Sequence, residues 1–365
     1  MSVRARLSQA RLAFAPVVAI LLLAMFLVGR SASAVTYTVI DLATLPQGST
    51  IVVRGPNSTG TAVGSGRVAG VRRGLLFTRG GLQQLPGLSG SDYTTVFGIN
   101  DLGDVVGSSN TATAVRAFRS TRPGGGTREL PPLAGDTAST AFAVNKPGQA
   151  VGFSSGPGGE QAVLWAANGT VTPLPGVSGA QSSRALGIND RDDAVGASDT
   201  GSGLHAILWP AGAAAQDLGT LRGDTTSEAV SVNARGDIVG YSADASGARR
   251  ATLWQAAGGI LDLGTLPGGD FSQALGINDR GDVVGMSTSN FGSRAFIWTS
   301  TAGLQDLNDL IAPSSFVLTQ AAGINAAGVI VAIGRDAGDE AATIGHEPHE
   351  FPVRVFLLLR SGVLP

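Results

Sequence analysis

The sequence contains no cysteine and little charge, and both shortages restrict what the protein can be. Without cysteine the chain has no disulfide, no thiolate zinc site and no cysteine nucleophile. Charged residues make up 14% of its 365 residues and hydrophobic residues 43%, a balance that argues against intrinsic disorder. Glycine is abundant at 53 residues, but no Gly-X-Y period runs through the chain, which excludes a collagen-like helix.

Residues 1–34 have the pattern of a secretory signal peptide. A basic start with three arginines is followed by an apolar run over 12–28 and by the small residues Ala32, Ser33 and Ala34, which suit signal peptidase. The apolar run is just long enough for an uncleaved membrane anchor, which is the alternative. Cleavage would remove four arginines and no acidic residue, which moves the formal net charge from −2 to −6.

We therefore expect a secreted protein, extracellular or periplasmic, with no membrane contact after cleavage. A negative surface does not bind nucleic acid through counterion release, so nucleic acid is not an expected partner. The expected partner is an unidentified extracellular ligand, either a glycan or a protein, and the expected state is a monomer.

The rest of the chain is a sevenfold internal repeat. The pattern Asn, then Gly three residues on, then Gly four further, recurs every 43 to 47 residues, with Asp192 in place of the first Gly in one unit and Ala332 in place of the second Gly in the last. Its asparagines are Asn57, Asn100, Asn145, Asn189, Asn233, Asn278 and Asn325. A Leu phrase recurs at the same period, at Leu42, Leu85, Leu130, Leu174, Leu218, Leu263 and Leu307.

Each unit divides into four short apolar stretches separated by turn residues, which predicts four strands. In the sixth unit these stretches are 272–277, 282–287, 295–298 and 303–307. Four strands in about 44 residues is the size of a propeller blade. The pattern predicts an all-β, seven-bladed β-propeller over 35–365 with four antiparallel strands per blade. The Leu42 phrase precedes the first complete unit, so we expect this N-terminal strand to pair with the C-terminal blade and close the ring.

The repeats resemble those of a family of probable extracellular proteins named for a His-Ala-Phe motif, the HAF repeats. The family consensus runs Asp-Leu-Gly-x-Leu-Gly-Gly, Ser-x-Ala, Ile-Asn-x-x-Gly-x-Val-Val-Gly and His-Ala-Phe-Leu-Trp. The likeness covers 35–358, and the naming triplet appears as Arg116-Ala117-Phe118, His205-Ala206-Ile207 and Arg294-Ala295-Phe296. The resemblance implies a secreted repeat protein and no particular chemistry.

The recurring polar residues are interpreted as structural. An Asn that opens a type I turn can bond the turn backbone, and the Gly three residues on supplies a positive φ. A calcium loop is the alternative, but the turns at Asn57 and Asn325 carry no acidic residue. Ser or Thr stands six residues before the Asn in six units. A nucleophilic role there would need a neighbouring base, and no His recurs nearby.

A recurring cation in the third strand covaries with an acidic or amide residue about twelve positions later. The unit with Gln161 instead of a cation has Pro173 at the second position, which predicts cross-strand ion pairs. A ring of cations for anionic ligands is the alternative use. Its members are Arg73, Arg116, His205, Arg250, Arg294 and Arg354.

The last unit carries an insertion over 334–352, which we expect to be irregular and solvated. It holds the weak candidates for a metal site: His346, His349, Glu347 and Asp339. The two histidines are three residues apart and Pro348 intervenes, so a helical zinc motif is excluded. We expect no cofactor and assign no catalytic residue.

Two classes of function remain open. The first is a non-catalytic binding or scaffold module outside the cell or at its surface. The second is a carbohydrate- or phosphate-active hydrolase with carboxylates on one propeller face. Its candidates are the insertion and Arg191-Asp192-Asp193. The repeat accounts for nearly all recurring residues without chemistry, which favours binding.

Overall fold

The computed structural model describes residues 36–45, 51–68, 70–121, 126–177, 180–342 and 352–361. The signal-like segment 1–34 lies outside these residues. The described residues form seven four-stranded antiparallel sheets, and the predicted seven-bladed propeller is confirmed. Among them no helix is both long and apolar enough to cross a membrane.

Blades 1 to 3 follow one another along the chain, each running from its inner to its outer strand. Blade 1 contains β2 (Val52–Arg54), β3 (Ala62–Val68), β4 (Val71–Thr78) and β5 (Gly81–Leu85). Blade 2 contains β6 (Thr94–Ile99), β7 (Val105–Asn110), β8 (Val115–Ser120) and β9 (Thr127–Leu130). Blade 3 contains β10 (Ala138–Val144), β11 (Ala150–Gly156), β12 (Gly159–Trp165) and β13 (Val171–Pro173).

Blades 4 to 6 repeat the same order. Blade 4 contains β14 (Ser183–Ile188), β15 (Ala194–Asp199), β16 (Leu204–Trp209) and β17 (Gln216–Asp217). Blade 5 contains β18 (Thr226–Val232), β19 (Ile238–Ala243), β20 (Arg249–Trp254) and β21 (Ile260–Asp262). Blade 6 contains β22 (Ser272–Ile277), β23 (Val283–Ser289), β24 (Gly292–Thr299) and β25 (Gly303–Asp306).

Blade 7 combines both ends of the described chain. It contains β26 (Phe316–Ile324), β27 (Ile330–Asp336), β28 (Val353–Arg360) and, as its outer strand, β1 (Tyr37–Leu45). Strand β1 runs antiparallel to β28, with Tyr37 opposite Arg360 and Leu45 opposite Val353. Blade 7 also packs on blade 1, since one buried cluster contains residues of both, among them Val331 and Phe77.

The segment 334–352 contains regular structure at its start. Residues 334–336 belong to β27, and α1 (Ala337–Ala342) follows. Residues 343–351 lie outside those that the structure describes. A second short helical element, a 3₁₀ turn at Leu307–Leu310, leads from blade 6 into blade 7.

The hydrophobic core lies between the blades. Each sheet has neighbours on both faces, so the second strand of a blade is buried along its length, as β19 is at every residue. The clusters therefore combine adjacent blades; one contains Val106 of blade 2 and Trp165 of blade 3. The indole of Trp165 also donates to the carbonyl oxygen of Pro131, 2.7 Å away at the end of blade 2.

The recurring serines join neighbouring blades by hydrogen bonds. Ser272 of blade 6 is fully buried, and its Oγ accepts a hydrogen bond from Ala251 N–H of blade 5 at 2.8 Å. The same hydroxyl donates to the carbonyl oxygen of Gly264 at 2.7 Å. Ser227 makes the equivalent two bonds to blade 4. These hydroxyls are structural, as the sequence indicates.

The inner strands approach one another closely around the axis, which explains their small residues. A Cβ on Gly323 would lie 1.8 Å from the carbonyl oxygen of Gly55 in blade 1, and one on Gly98 would lie 2.7 Å from that of Phe142 in blade 3. Larger residues at these two positions would force neighbouring blades apart.

Candidate functional site

The repeated asparagines each organise the turn between the first two strands of a blade. In blade 5, Asn233 Oδ1 accepts hydrogen bonds from the backbone N–H groups of Arg235 and Asp237, both at 2.9 Å. Gly236 of this turn has a φ of 90°. The predicted turn, with its Asn side chain and positive-φ position, is confirmed.

The same asparagines also link consecutive blades. In six of the seven, the amide nitrogen donates to the backbone carbonyl oxygen of the asparagine in the next blade, at 2.8 to 3.2 Å. These bonds run from Asn57 to Asn100, Asn100 to Asn145, Asn145 to Asn189, Asn189 to Asn233, Asn233 to Asn278, and Asn325 to Asn57. We call this the asparagine belt. The last bond joins blade 7 to blade 1.

The cations of the third strands pair with carboxylates of the fourth strands, as the covariation predicts. The pairs are Arg116 with Glu129, His205 with Asp217, Arg250 with Asp262, Arg294 with Asp306, and Arg354 with Asp41. Arg250 and Arg354 each contact a second carboxylate, of Asp224 and Asp336 respectively.

These ion pairs differ in the distance between their charged groups. Arg354 lies 2.6 Å from Asp41, whereas Arg294 and Asp306 are 3.7 Å apart. Burial raises the pKa of Asp306, and neither the hydrogen bonds from Asn308 nor the charge of Arg294 offsets it. Arg73, the remaining cation of this set, donates to the carbonyl oxygen of Asp92 at 3.3 Å. Most of these cations are thus neutralised within the protein, which disfavours a ring of anion sites.

The carboxylates that break the repeat in blade 4 are engaged in structural bonds. Asp192 has a φ of 67°, in the position that Gly occupies in the other units. Its Oδ1 accepts a hydrogen bond from the Asn145 amide at 3.0 Å. Asp193 accepts hydrogen bonds from the Asn189 amide and from Ala211 N–H. This sector therefore offers no pair of free carboxylates for hydrolysis.

The metal candidates of the insertion are mostly beyond the described residues. Asp339 lies in α1 and is half-buried. His346, Glu347 and His349 are in 343–351, outside the part of the chain that the structure describes. Within that part, no three His, Cys, Asp or Glu side chains group as a metal site.

A cavity of about 460 Å³ surrounds the propeller axis, lined by the inner strands of all seven blades. In blades 2 to 6 the strand register shifts at the position three before the asparagine, as a β-bulge. Bulges re-aim side chains, and here the bulged residues line the cavity. They are Phe97, Phe142, Leu186, Val230 and Leu275. Ala322 of blade 7 holds the same position.

Blade 1 has a charged residue, Arg54, at this otherwise apolar position. Arg54 lines the cavity, and burial lowers the pKa of its guanidinium. The other charged side chains along the cavity are Arg184 and Glu228, which pair with each other at 2.8 Å. The net positive charge of the lining is therefore that of Arg54.

Arg54 is not among the residues predicted from the sequence, because those predictions rest on residues that recur. The repeats nevertheless make Arg54 recognisable from the sequence. Aligning the seven units on their asparagines puts Arg54 in register with six apolar residues, so it is the position where the repeat is broken by a charge. The cavity shows that this position faces the axis.

The comparisons with known proteins support the fold alone. No protein-family model matches the chain, and no curated protein matches it. A streptogramin B lyase structure superposes with a TM-score of 0.52 at 10% sequence identity, covering 89% of this chain and 98% of the other. A virginiamycin B lyase from Staphylococcus aureus gives 0.50 at 11% identity, covering 89% and 100%. The class that fold and comparisons define is the seven-bladed β-propeller.

Proposed function

We propose that this protein is a secreted, non-catalytic propeller that binds its ligand in the cavity on the axis. The observation that carries the proposal is the contrast between the blades and the cavity. The inner strands of all seven blades line the cavity at the same position of the repeat, whereas the side chains there vary among Arg, Phe, Leu, Val and Ala. A site for one asymmetric ligand needs such differences.

The recurring polar side chains outside the cavity support this proposal, because they already form hydrogen bonds or ion pairs within the protein. The asparagine belt and the third-strand ion pairs bind neighbouring parts of the protein, as does the Asp192 sector. The cavity has the size of small-molecule sites, which occupy roughly 300 to 1,000 Å³. Most of the residues that line it carry apolar side chains, although about half of its accessible surface is polar. Secretion rests on the signal-like pattern of residues 1–34.

A ligand screen with a blocked cavity tests this function. The mature chain is screened against small molecules and glycans by thermal shift, together with Val230→Trp, which fills the cavity from blade 5. Ile260→Trp is the matched control, since Ile260 lies on the outer strand of the same blade and is 39% exposed. We expect ligands that raise the melting temperature of wild type and Ile260→Trp but not of Val230→Trp.

Two outcomes of this screen would contradict the proposal. Ligands that stabilise Val230→Trp as much as wild type would place binding outside the cavity. Conversion of a bound ligand to a product, followed by chromatography, would make the protein an enzyme.

A further inference from the structure

Arg54 is a partly buried cation that uses little of its hydrogen-bonding capacity within the protein. Its Nη1 donates to the carbonyl oxygen of Val53 at 2.9 Å. Within the described residues no carboxylate forms an ion pair with it. A guanidinium carries five N–H donors, so one carbonyl oxygen leaves several of them without an acceptor. The residue is half-buried by surface area, and it lines the cavity.

A partly buried cation without a counter-charge is less favourable at this position than an apolar side chain, which makes its presence informative. Burying a charge without a counter-charge is unfavourable, and the lowered pKa of the Arg54 guanidinium reflects this burial. An arginine nevertheless stays protonated at neutral pH. The six units that place an apolar residue here show that the propeller does not need a cation at this position. A bound anion would supply the missing counter-charge.

Two aromatic rings line the same cavity as Arg54. Phe97 and Phe142 come from the two blades that follow blade 1, and their ring centroids lie 5.1 Å apart. Both rings line the cavity and are half-buried. The two rings suit an apolar body attached to the anionic group. The single unpaired cation suits a monoanion, and the planar fork of a guanidinium matches a carboxylate through two parallel hydrogen bonds.

We propose that the axis cavity binds an organic monocarboxylate with an apolar body. Arg54 holds the carboxylate, and Phe97 and Phe142 pack against the apolar part. This inference rests on the proposed function, because it names the ligand class of the same cavity.

Calorimetric titration with 4-phenylbutyrate and its uncharged amide, 4-phenylbutyramide, tests the inference. The proteins are wild type, Arg54→Met and the matched control Arg79→Met, which removes an exposed arginine from the same blade. We expect the acid to bind wild type and Arg79→Met equally and Arg54→Met at least tenfold more weakly. The amide should bind wild type at least tenfold more weakly than the acid does.

A stability measurement accompanies the titration. Without ligand, Arg54→Met should melt at a higher temperature than wild type, because a partly buried charge without an ion-pair partner is replaced by an apolar side chain. If the methionine variant does not fold, Arg54→Gln, which removes the charge and keeps polar atoms, replaces it with the same expected loss of affinity.

The outcomes separate this inference from the proposed function. Equal affinity of the acid for wild type and Arg54→Met, with loss of binding in Val230→Trp, would overturn the role of Arg54 and leave the cavity as the binding site. No binding of the acid to wild type would overturn the ligand class, even where the ligand screen finds another compound in the cavity. Binding of the acid that survives both substitutions would overturn both proposals.

Discussion

Asn233 shows why the repeat requires an amide at this position. Its oxygen accepts from two backbone N–H groups of its own turn, and its nitrogen donates to the carbonyl oxygen of Asn278 at 3.0 Å and to Asp237 at 3.1 Å. A carboxylate offers the acceptors but not the donors. The asparagine is thus selected by the link between blades as well as by the turn.

Asn233→Asp should therefore destabilise the protein strongly, although the two side chains have nearly the same shape. The new carboxylate would face the carbonyl oxygen of Asn278 and the Asp237 carboxylate in a buried site. We expect a loss of about 2 to 4 kcal/mol in the free energy of unfolding at pH 7, measured by urea denaturation. Asn168→Asp is the control, because Asn168 is exposed and its side chain accepts a single bond from Thr170 N–H. Similar losses in both variants would contradict this explanation.

Two aspartates should give opposite pH dependences of stability. Burial opposes ionisation of Asp237, but hydrogen bonds from Ala256, Arg235 and Asn233 outweigh it, so the pKa of Asp237 is lowered. Its contribution is present above its unfolded pKa, near 3.8, and is lost as the pH falls through the lower folded value. The pKa of Asp306 is raised by burial, so its ionisation lowers stability as the pH rises above about 3.8.

The substitutions Asp237→Asn and Asp306→Asn test these signs. Asp237→Asn should lower stability at pH 7 and have less effect at pH 3. Asp306→Asn should be tolerated better at pH 7 than at pH 3, since an amide resembles the protonated acid. Urea denaturation at the two pH values measures both. The same pH dependence in the two variants would show that the assigned causes are wrong.

At the scale of strands, the first strand replaces a missing one in the last blade. Strand β1 covers β28, which would otherwise be an open edge with unpaired backbone groups. Its side chains Leu42 and Leu45 are buried in the cluster shared by blades 7 and 1. Pairing and burial together hold the two ends of the described chain in one sheet.

Deletion of residues 37–45 should therefore affect both the stability and the association state of the protein. We expect a lower melting temperature and concentration-dependent association through the exposed edge of β28. Light scattering coupled to size exclusion measures the association. A chain that begins at residue 35 is the control and should behave as a monomer. A monomeric, equally stable deletion variant would contradict the role given to β1.

The strands were predictable from sequence because their signals are local and repeat seven times. The stretches read in blade 6 agree with β22 to β25 within a few residues. The phase of the repeat also predicted the pairing of β1, because the Leu42 phrase has no other blade to complete. Outer strands were harder, since β17 has two residues and no apolar pattern of its own.

The cavity was not predictable in the same way. Which residue of an inner strand faces the axis depends on a β-bulge and on the packing of seven blades, and neither has a local signature. Arg54 was therefore visible only as an exception in the aligned repeats. The belt between asparagines was hidden for the same reason, since each bond joins residues 43 to 45 positions apart or, between Asn325 and Asn57, 268 apart.

At the scale of the whole molecule, the recurring residues that join the blades are different from those that face the axis. The repeated Asn, Ser and Trp side chains connect adjacent blades, so most of their polar groups are hydrogen-bonded within the protein. Small residues of the inner strands lie at the contacts between blades, and larger residues of the same strands face the axis. Their side chains vary between blades, and they include Arg54 and the two aromatic rings of Phe97 and Phe142.

A crystal structure of residues 35–365 soaked with 4-bromophenylacetate tests this account most directly, because the anomalous signal of bromine locates the compound. We predict the carboxylate at the guanidinium of Arg54 and the bromine against Phe97 and Phe142. Bromine found only on the outer surface of the blades, with the cavity holding none, would contradict the account.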